Sequence, residues 1–213
     1  MSEPEAIIEF WIDEIGPKGW YEAVDSVDEE IRARFGSLWQ EAAAGRCEFW
    51  LNGPRGALAY IILTDQFPRN MFRGDPRAFA TDARARHAAE EAIAHGWDMR
   101  IPEPQRQFFY LPLMHSETLE DQDRCIALIE SSMPETGKRN LPHARVHREI
   151  IRQFGRFPYR NAALGRDSTP QERAFLEGGG YRALLARAER GRSEAMQPAH
   201  GGSAPGKLCA GGR

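Results

Sequence analysis

Apolar residues recur at helical spacing along most of the chain, while sustained alternation of apolar and polar residues is nearly absent. Ile7, Ile8, Trp11 and Ile15 mark a first helix that ends at the Gly16-Pro17-Lys18-Gly19 breaker. Ser26 and Glu29 have the spacing of a capping box, and Ile31, Phe35, Leu38 and Trp39 then form one apolar face. Pro54 follows Asn52-Gly53 and opens a helix through Leu58, Ile61 and Ile62 to Phe67, where Pro68 should end or kink it. Asp82 to His95 is an alanine-rich helix stopped by Gly96.

The second half continues the pattern. "RQFFYLPLMHSE" (106–117) reads as an apolar helix bent by Pro112 just before His115. Thr118 to Ser132 is a further helix, and "SMPETGKRNLP" (132–142) reads as a connection. His143 to Phe154 is amphipathic, with Val146, Ile150, Ile151 and Phe154 on one side. Thr169 and Glu172 make a second capping box with Pro170 at the first helical position, and the short helix stops at Gly178-Gly179-Gly180. From about Gly191 the chain turns to Gly, Ser, Pro and Ala and cannot bury enough apolar surface to order itself. The expectation is a single all-α domain over 1–190, built of antiparallel helical hairpins, followed by a disordered tail over 191–213.

Composition narrows the classes. A chain of 213 residues with 41% hydrophobic and 28% charged residues suits one soluble globular domain. A formal net charge of -3, with Lys and Arg interleaved among Asp and Glu, argues against nucleic-acid and membrane-surface partners. No apolar run approaches the roughly 20 residues that span a bilayer. The acidic N-terminal stretch lacks the basic region of a secretory signal. Cys47, Cys125 and Cys209 are isolated and form no CxxC, which fits free thiols in a reducing cytoplasm; Cys125 reads as core.

Candidate chemistry gathers at four places. "LTDQFPRNMFRG" sets Asp65, Gln66, Arg69, Asn70 and Arg73 against Phe67, Met71 and Phe72, and polar groups beside a core need partners or a ligand. "GRFPYRN" (155–161) echoes it with Arg156, Arg160 and Asn161 around Phe157-Pro158. Guanidinium forks match carboxylate or phosphate, so Arg69, Arg156 and Arg160 would form either an anion site or a lattice of Arg–Asp pairs with Asp65. "LMHSETLEDQ" carries His115, Ser116, Glu117, Asp121 and Gln122; Ser116 as an N-cap with Glu117 at the dipole explains part of it, and His115 and Gln122 stay unexplained. His143 and His147, four apart, put two imidazoles on one helical face. The Glu that follows the first His in zinc proteases is missing, and no convergent third ligand is indicated, so neither metal nor cofactor is assigned.

The strings "GALAYIILTDQFPRNMFRGDPRAFATD", "RQFFYLPLMHSETLEDQ" and "HREIIRQFGRFPYRNAALGRDSTPQERAFL" together resemble domain of unknown function family 924, a largely bacterial group, from the first helix to about Leu176. The resemblance implies an all-α fold similar to tetratricopeptide-repeat-like hairpins, without the repeat consensus, and no established activity. It carries over Asp65, Gln66, Arg69, Asn70 and Arg73 with Phe79 and Asp82, then His115, Ser116, Glu117 and Gln122, then His147, Arg156, Arg160 and Asn161. It also implies a departure, since such proteins usually read His where this chain has Tyr159, and an aromatic where it has His143.

Three functions follow as expectations. The first is binding of a small anionic metabolite, clamped by Arg69, Arg156 and Arg160 and oriented by Asn70, Asn161 and Gln122. The second is a hydrolase-type enzyme with His115 or His147 as general base beside Glu117 or Asp65. The third is a scaffold that binds a protein or peptide partner in a helical groove.

Overall fold

The computed structural model describes residues 2–195, and among them every regular element is helical. Helix α1 (Glu3–Ile8) runs on through a π-helical segment, Glu9–Ile15, into the single turn α2 (Gly16–Gly19). Helix α3 spans Asp25–Ala43. Its N-cap is Val24 with no side-chain cap, so the expected Ser26–Glu29 box does not form: the helix has already begun one residue before Ser26.

Helix α4 (Pro54–Ile61) continues as a second π segment, Ile62–Gln66, and then as α5 (Phe67–Met71). Pro68 therefore does not end the run. It cannot donate to the Thr64 carbonyl four residues earlier, and the Thr81 hydroxyl donates to that oxygen instead at 2.6 Å. The widened π turn absorbs the proline. Helix α6 (Asp82–Ala94) stops as expected: Gly96 takes φ 65, its N–H reaches Ile93 O at 3.0 Å, and Trp97 N–H reaches Ala92 O at 2.9 Å.

The predicted helix over 106–117 is corrected. Residues Gln105–Phe109 form a 3-10 turn, and α7 is only Leu111–Met114, with Pro112 tolerated in its first turn rather than bending a longer helix. Helix α8 is Leu119–Ser132, and its cap is Thr118, whose hydroxyl accepts from Asp121 N, not Ser116. Helix α9 is Gly137–Phe154, so most of the predicted connection is helix and Pro142 lies inside it. The Thr169–Glu172 capping box is present and opens α10 (Pro170–Glu177). A last helix, α11 (Gly180–Ala195), passes the expected tail boundary at Gly191; the rest of that stretch, 196–213, lies outside the described residues. No described helix is long and apolar enough to cross a membrane.

The main core is aromatic at its centre. Phe67 packs against Phe10, Trp11 and Phe35, with ring centroids 5.0 to 6.1 Å apart. Cys125 and Cys47 are buried free thiols in the same cluster. A smaller cluster of Val146, Ile150, Ile151 and Phe157 holds α9 against α11. Trp20, Leu111 and Met114 end the first cluster, Tyr181 flanks the second, and a cavity opens where the two meet.

Candidate functional site

The cavity has a volume of about 490 Å³, within the range of small-molecule pockets. Four stretches of chain wall it, one of them the segment before α7 with Pro104 and Gln107. Pro17, Trp20 and Tyr21 come from the α2 turn, Leu111, Met114 and His115 from the end of α7, and Thr136, Arg139, Asn140, His143 and His147 from one face of α9. Positions 136, 140, 143 and 147 follow the three- and four-residue spacing that keeps side chains on one helical stripe. Tyr181 of α11 closes the far side.

His115 is the polar centre of this wall. Its Nδ1 lies 2.8 Å from Asp65 Oδ1, on a carboxylate whose side chain is only 1% exposed. Asp65 stands in the π segment Ile62–Gln66, a distortion often found at functional sites. Gln66 Nε2 donates to Asp65 Oδ2 at 2.5 Å, and Arg69 Nη2 lies 3.5 Å from Asp65 Oδ1. Burial works against ionisation of Asp65, yet its carboxyl lies below the usual range, because His115, Arg69 and the Gln66 amide all favour the carboxylate. Burial and the Arg69 charge in turn hold His115 below the ordinary imidazole value, against the pull of Asp65. His115 is therefore neutral at pH 7, so Arg69 and the hydrogen bonds carry the effect on Asp65 there. An ionised Asp65 can only accept, which fixes the proton on His115 Nδ1 and leaves Nε2 with a bare lone pair at the cavity.

His147 is prepared in the same way. Its Nδ1 donates to His143 O at 2.9 Å, and burial, with the charges around it, lowers its pKa to about 3. Its ring lies 6.4 Å from His115, edge to face. His143 Nδ1 meets the Tyr181 hydroxyl, and Tyr181 packs 5.0 Å from His147. Among the described residues no three His, Cys, Asp or Glu side chains are grouped to hold a metal ion. On the floor, Gln107 Oε1 accepts from the Tyr21 hydroxyl at 2.5 Å and from Asn140 Nδ2 at 2.8 Å.

The predicted residues separate into a site and its braces. Arg69 grips Asp82 at 2.9 and 3.2 Å, and Arg160 reaches the same carboxylate at 3.3 Å while donating to His115 O at 3.0 Å. The Arg160 guanidinium lies 4.8 Å from the centre of the Phe79 ring and 4.5 Å from that of Phe157. Arg160 thus holds His115 directly and Arg69 holds it through Asp65, and neither lines the cavity. Arg156 is elsewhere, paired with Glu172 at 2.6 and 2.9 Å, where Asn161 also donates to Glu172 at 3.3 Å. Asn70 and Arg73 share Asp28, at 2.8 Å for Asn70 and 2.5 and 2.9 Å for Arg73. Gln122 caps the end of α7 through the Met114 and Ser116 carbonyls at 2.6 and 2.8 Å. Ser116 donates to Asp121 at 2.5 Å. Glu117 accepts from Phe157 N at 2.8 Å and pairs with Arg166 at 2.8 and 3.0 Å, turned to the 157–166 loop.

A family model described as a bacterial protein of unknown function, DUF924, matches residues 7–180. The chain belongs to this family. A solved structure, that of the protein of unknown function ATU0120 from Agrobacterium tumefaciens, is similar at 40% identity with a TM-score of 0.76, over 82% of this chain and 96% of that one. No match to a curated protein is found.

His143 and Tyr159, the two positions that the resemblance singles out, both lie near Tyr181. His143 touches Tyr181 in the main cavity, while Tyr159 shares with His147 and Tyr181 a second, more open cavity of about 560 Å³. Tyr159 is 42% exposed, and its phenol is protonated at neutral pH. Tyr21, Gln107, Arg139, Asn140 and Tyr181 were not among the sequence candidates. Arg139 and Asn140 fall in a stretch that reads as a connection, and helical spacing back from His143 is the signal that finds them.

Proposed function

We propose that this cavity is the active site of a hydrolytic enzyme in which His115 is the general base and Asp65 its positioning residue. The observation that carries the reading is the buried Asp65–His115 contact of 2.8 Å, which leaves an unprotonated imidazole nitrogen on the wall of a closed-in cavity. A neutral, tautomer-locked histidine backed by a carboxylate is equipped to take one proton and return it. Among the described residues the lining has no serine or cysteine, and the Thr136 and Tyr21 hydroxyls are engaged with Glu103 at 2.8 Å and Gln107 at 2.5 Å, so water is assigned as the nucleophile.

The step balances as acyl transfer to water. His115 Nε2 takes a proton from water as the oxygen adds to a substrate carbonyl carbon. The tetrahedral intermediate collapses, the bond to the leaving group breaks, and the imidazolium returns the proton to that group. His147 stays neutral beside His115 and adds no competing charge when the imidazolium forms.

The test is turnover of a panel of p-nitrophenyl esters, thioesters and anilides by wild type and His115→Gln, with circular dichroism to confirm that the variant is folded. His115→Gln should reduce turnover to background, a loss of roughly 10²–10⁴-fold. Equal turnover by the folded variant, or no turnover of any panel member by wild type, would overturn the reading.

A further inference from the structure

The fourteen described residues that line the main cavity include no Asp or Glu. Its histidines are His115, His143 and His147, all with pKa values held below the ordinary imidazole value. Among the described lining residues the one permanent charge is Arg139. Arg139 has no carboxylate partner among the described residues, whereas Arg69, Arg73, Arg156, Arg160 and Arg166 are all paired. The N-terminus of α9 beside it is already occupied: Glu103 accepts from Thr136 N at 2.7 Å. What remains for a ligand is therefore one exposed guanidinium in a lining that, among the described residues, holds no carboxylate, with Glu189 outside the lining but near enough to act on His143 and Tyr181.

Geometry sets this cation apart from the base. Arg139, His143 and His147 follow one another at four-residue spacing on α9, so Arg139 and His147 are separated by about 12 Å of helix axis. The same lining carries Trp20, Leu111 and Met114, which are apolar and buried. A bound molecule that meets Arg139 at one end and His115, beside His147, at the other must present an apolar stretch in the middle.

We propose that the substrate is an organic monocarboxylate ester or thioester: a carboxylate held by Arg139, an apolar spacer against Trp20, Leu111 and Met114, and the reacting carbonyl at His115. The assignment rests on the hydrolytic reading for its reacting end, and on Arg139 alone for its charged end. A single guanidinium fork matches the two oxygens of one carboxylate.

The probes are p-nitrophenyl hemiesters of straight-chain dicarboxylic acids, succinate to suberate, against neutral p-nitrophenyl esters of equal chain length. Wild type should favour the anionic member by about tenfold in kcat/KM, the ratio a contact of about 1.4 kcal/mol produces. The advantage should grow with spacer length before it falls. Arg139→Gln should abolish it through KM, with kcat and the neutral esters unchanged. His115-dependent turnover without charge preference, or a preference that survives Arg139→Gln, overturns the proposal and leaves the hydrolytic reading standing. If no ester is turned over, the hydrolytic reading fails, and the monoamides of the same diacids then decide the charged end by calorimetry. Binding by wild type that Arg139→Gln loses supports the carboxylate site, and no binding by wild type overturns it.

Discussion

Asp65 holds three neighbours at once, the Gln66 amide, the His115 ring and the Arg69 guanidinium, and a carboxylate has about four acceptor directions with which to do so. Asparagine in its place keeps the shape and loses both the charge and one acceptor atom. If the new amide nitrogen faces His115, the imidazole must shift its proton to Nε2 to accept from it, and the base at the cavity is gone. Asp65→Asn should therefore lower kcat in the ester assay by roughly 10²–10⁴-fold, with KM little changed. Nitrogen NMR of the histidine ring would report the proton moving from Nδ1 to Nε2. An unchanged tautomer with an unchanged kcat would show that Asp65 merely packs there. Asp82, by contrast, is shared by Arg69 and Arg160 and is not among the residues lining the main cavity, so its part is to balance a half-buried and a buried cation.

Asp65 is delivered to the site by the continuous run from α4 through the π segment to α5, and that run is seated at its start by Gly56. A Cβ on Gly56 would lie 2.1 Å from the Trp50 carbonyl oxygen, a backbone atom with no flexible end to move. Gly56→Ala should destabilise the fold by about 3 kcal/mol, lowering Tm by about 10 °C, as differential scanning calorimetry would show; a Tm within a degree or two of wild type would mean that α4 slides freely on the 48–50 turn. How much of this was legible in the sequence varied with how local each signal is. The Thr169–Glu172 box and the Gly96 stop depend on neighbouring residues alone, and both stand as read. Pro68 reads as a stop or kink, Pro112 as a bend and Pro142 as the end of a connection; instead Pro68 is absorbed by a π turn and a distant threonine hydroxyl, Pro112 by a place in a first turn, and Pro142 lies inside α9. Those outcomes depend on partners far along the chain. The same holds for the site. His115, His147 and Asp65 were named from residue type and surroundings, but their meeting across 50 residues was not readable. Reading 132–142 as a connection also hid Arg139 and Asn140, because a stretch taken as a loop has no face on which to place side chains.

At the scale of the molecule, the same neutral histidines that make the cavity usable tie its stability to pH. His147 titrates at about 3 in the folded chain, and His115 and His143 are likewise held below their ordinary value. In the unfolded chain each would titrate near 6.5. Above that value both states are neutral and stability is level. As pH falls through about 6.5 the unfolded chain binds protons that the folded chain refuses, so stability falls steadily toward the folded pKa values. The carboxylates act lower down. Asp65 and Glu172 have depressed values, Glu172 at about 2 because Arg156 bonds it, and their contribution is lost only below about pH 4. The interval between about pH 6.5 and 4 thus reports mainly on the cavity histidines. The midpoint of urea unfolding, followed across that interval, should decline in wild type and decline less in His147→Phe, which keeps a ring against Phe157 and Tyr181 and removes the titration. Two parallel curves would mean that His147 gains its proton without cost inside the fold. In that case water reaches the ring freely, and the dry wall on which the neutral His115 base depends would not exist.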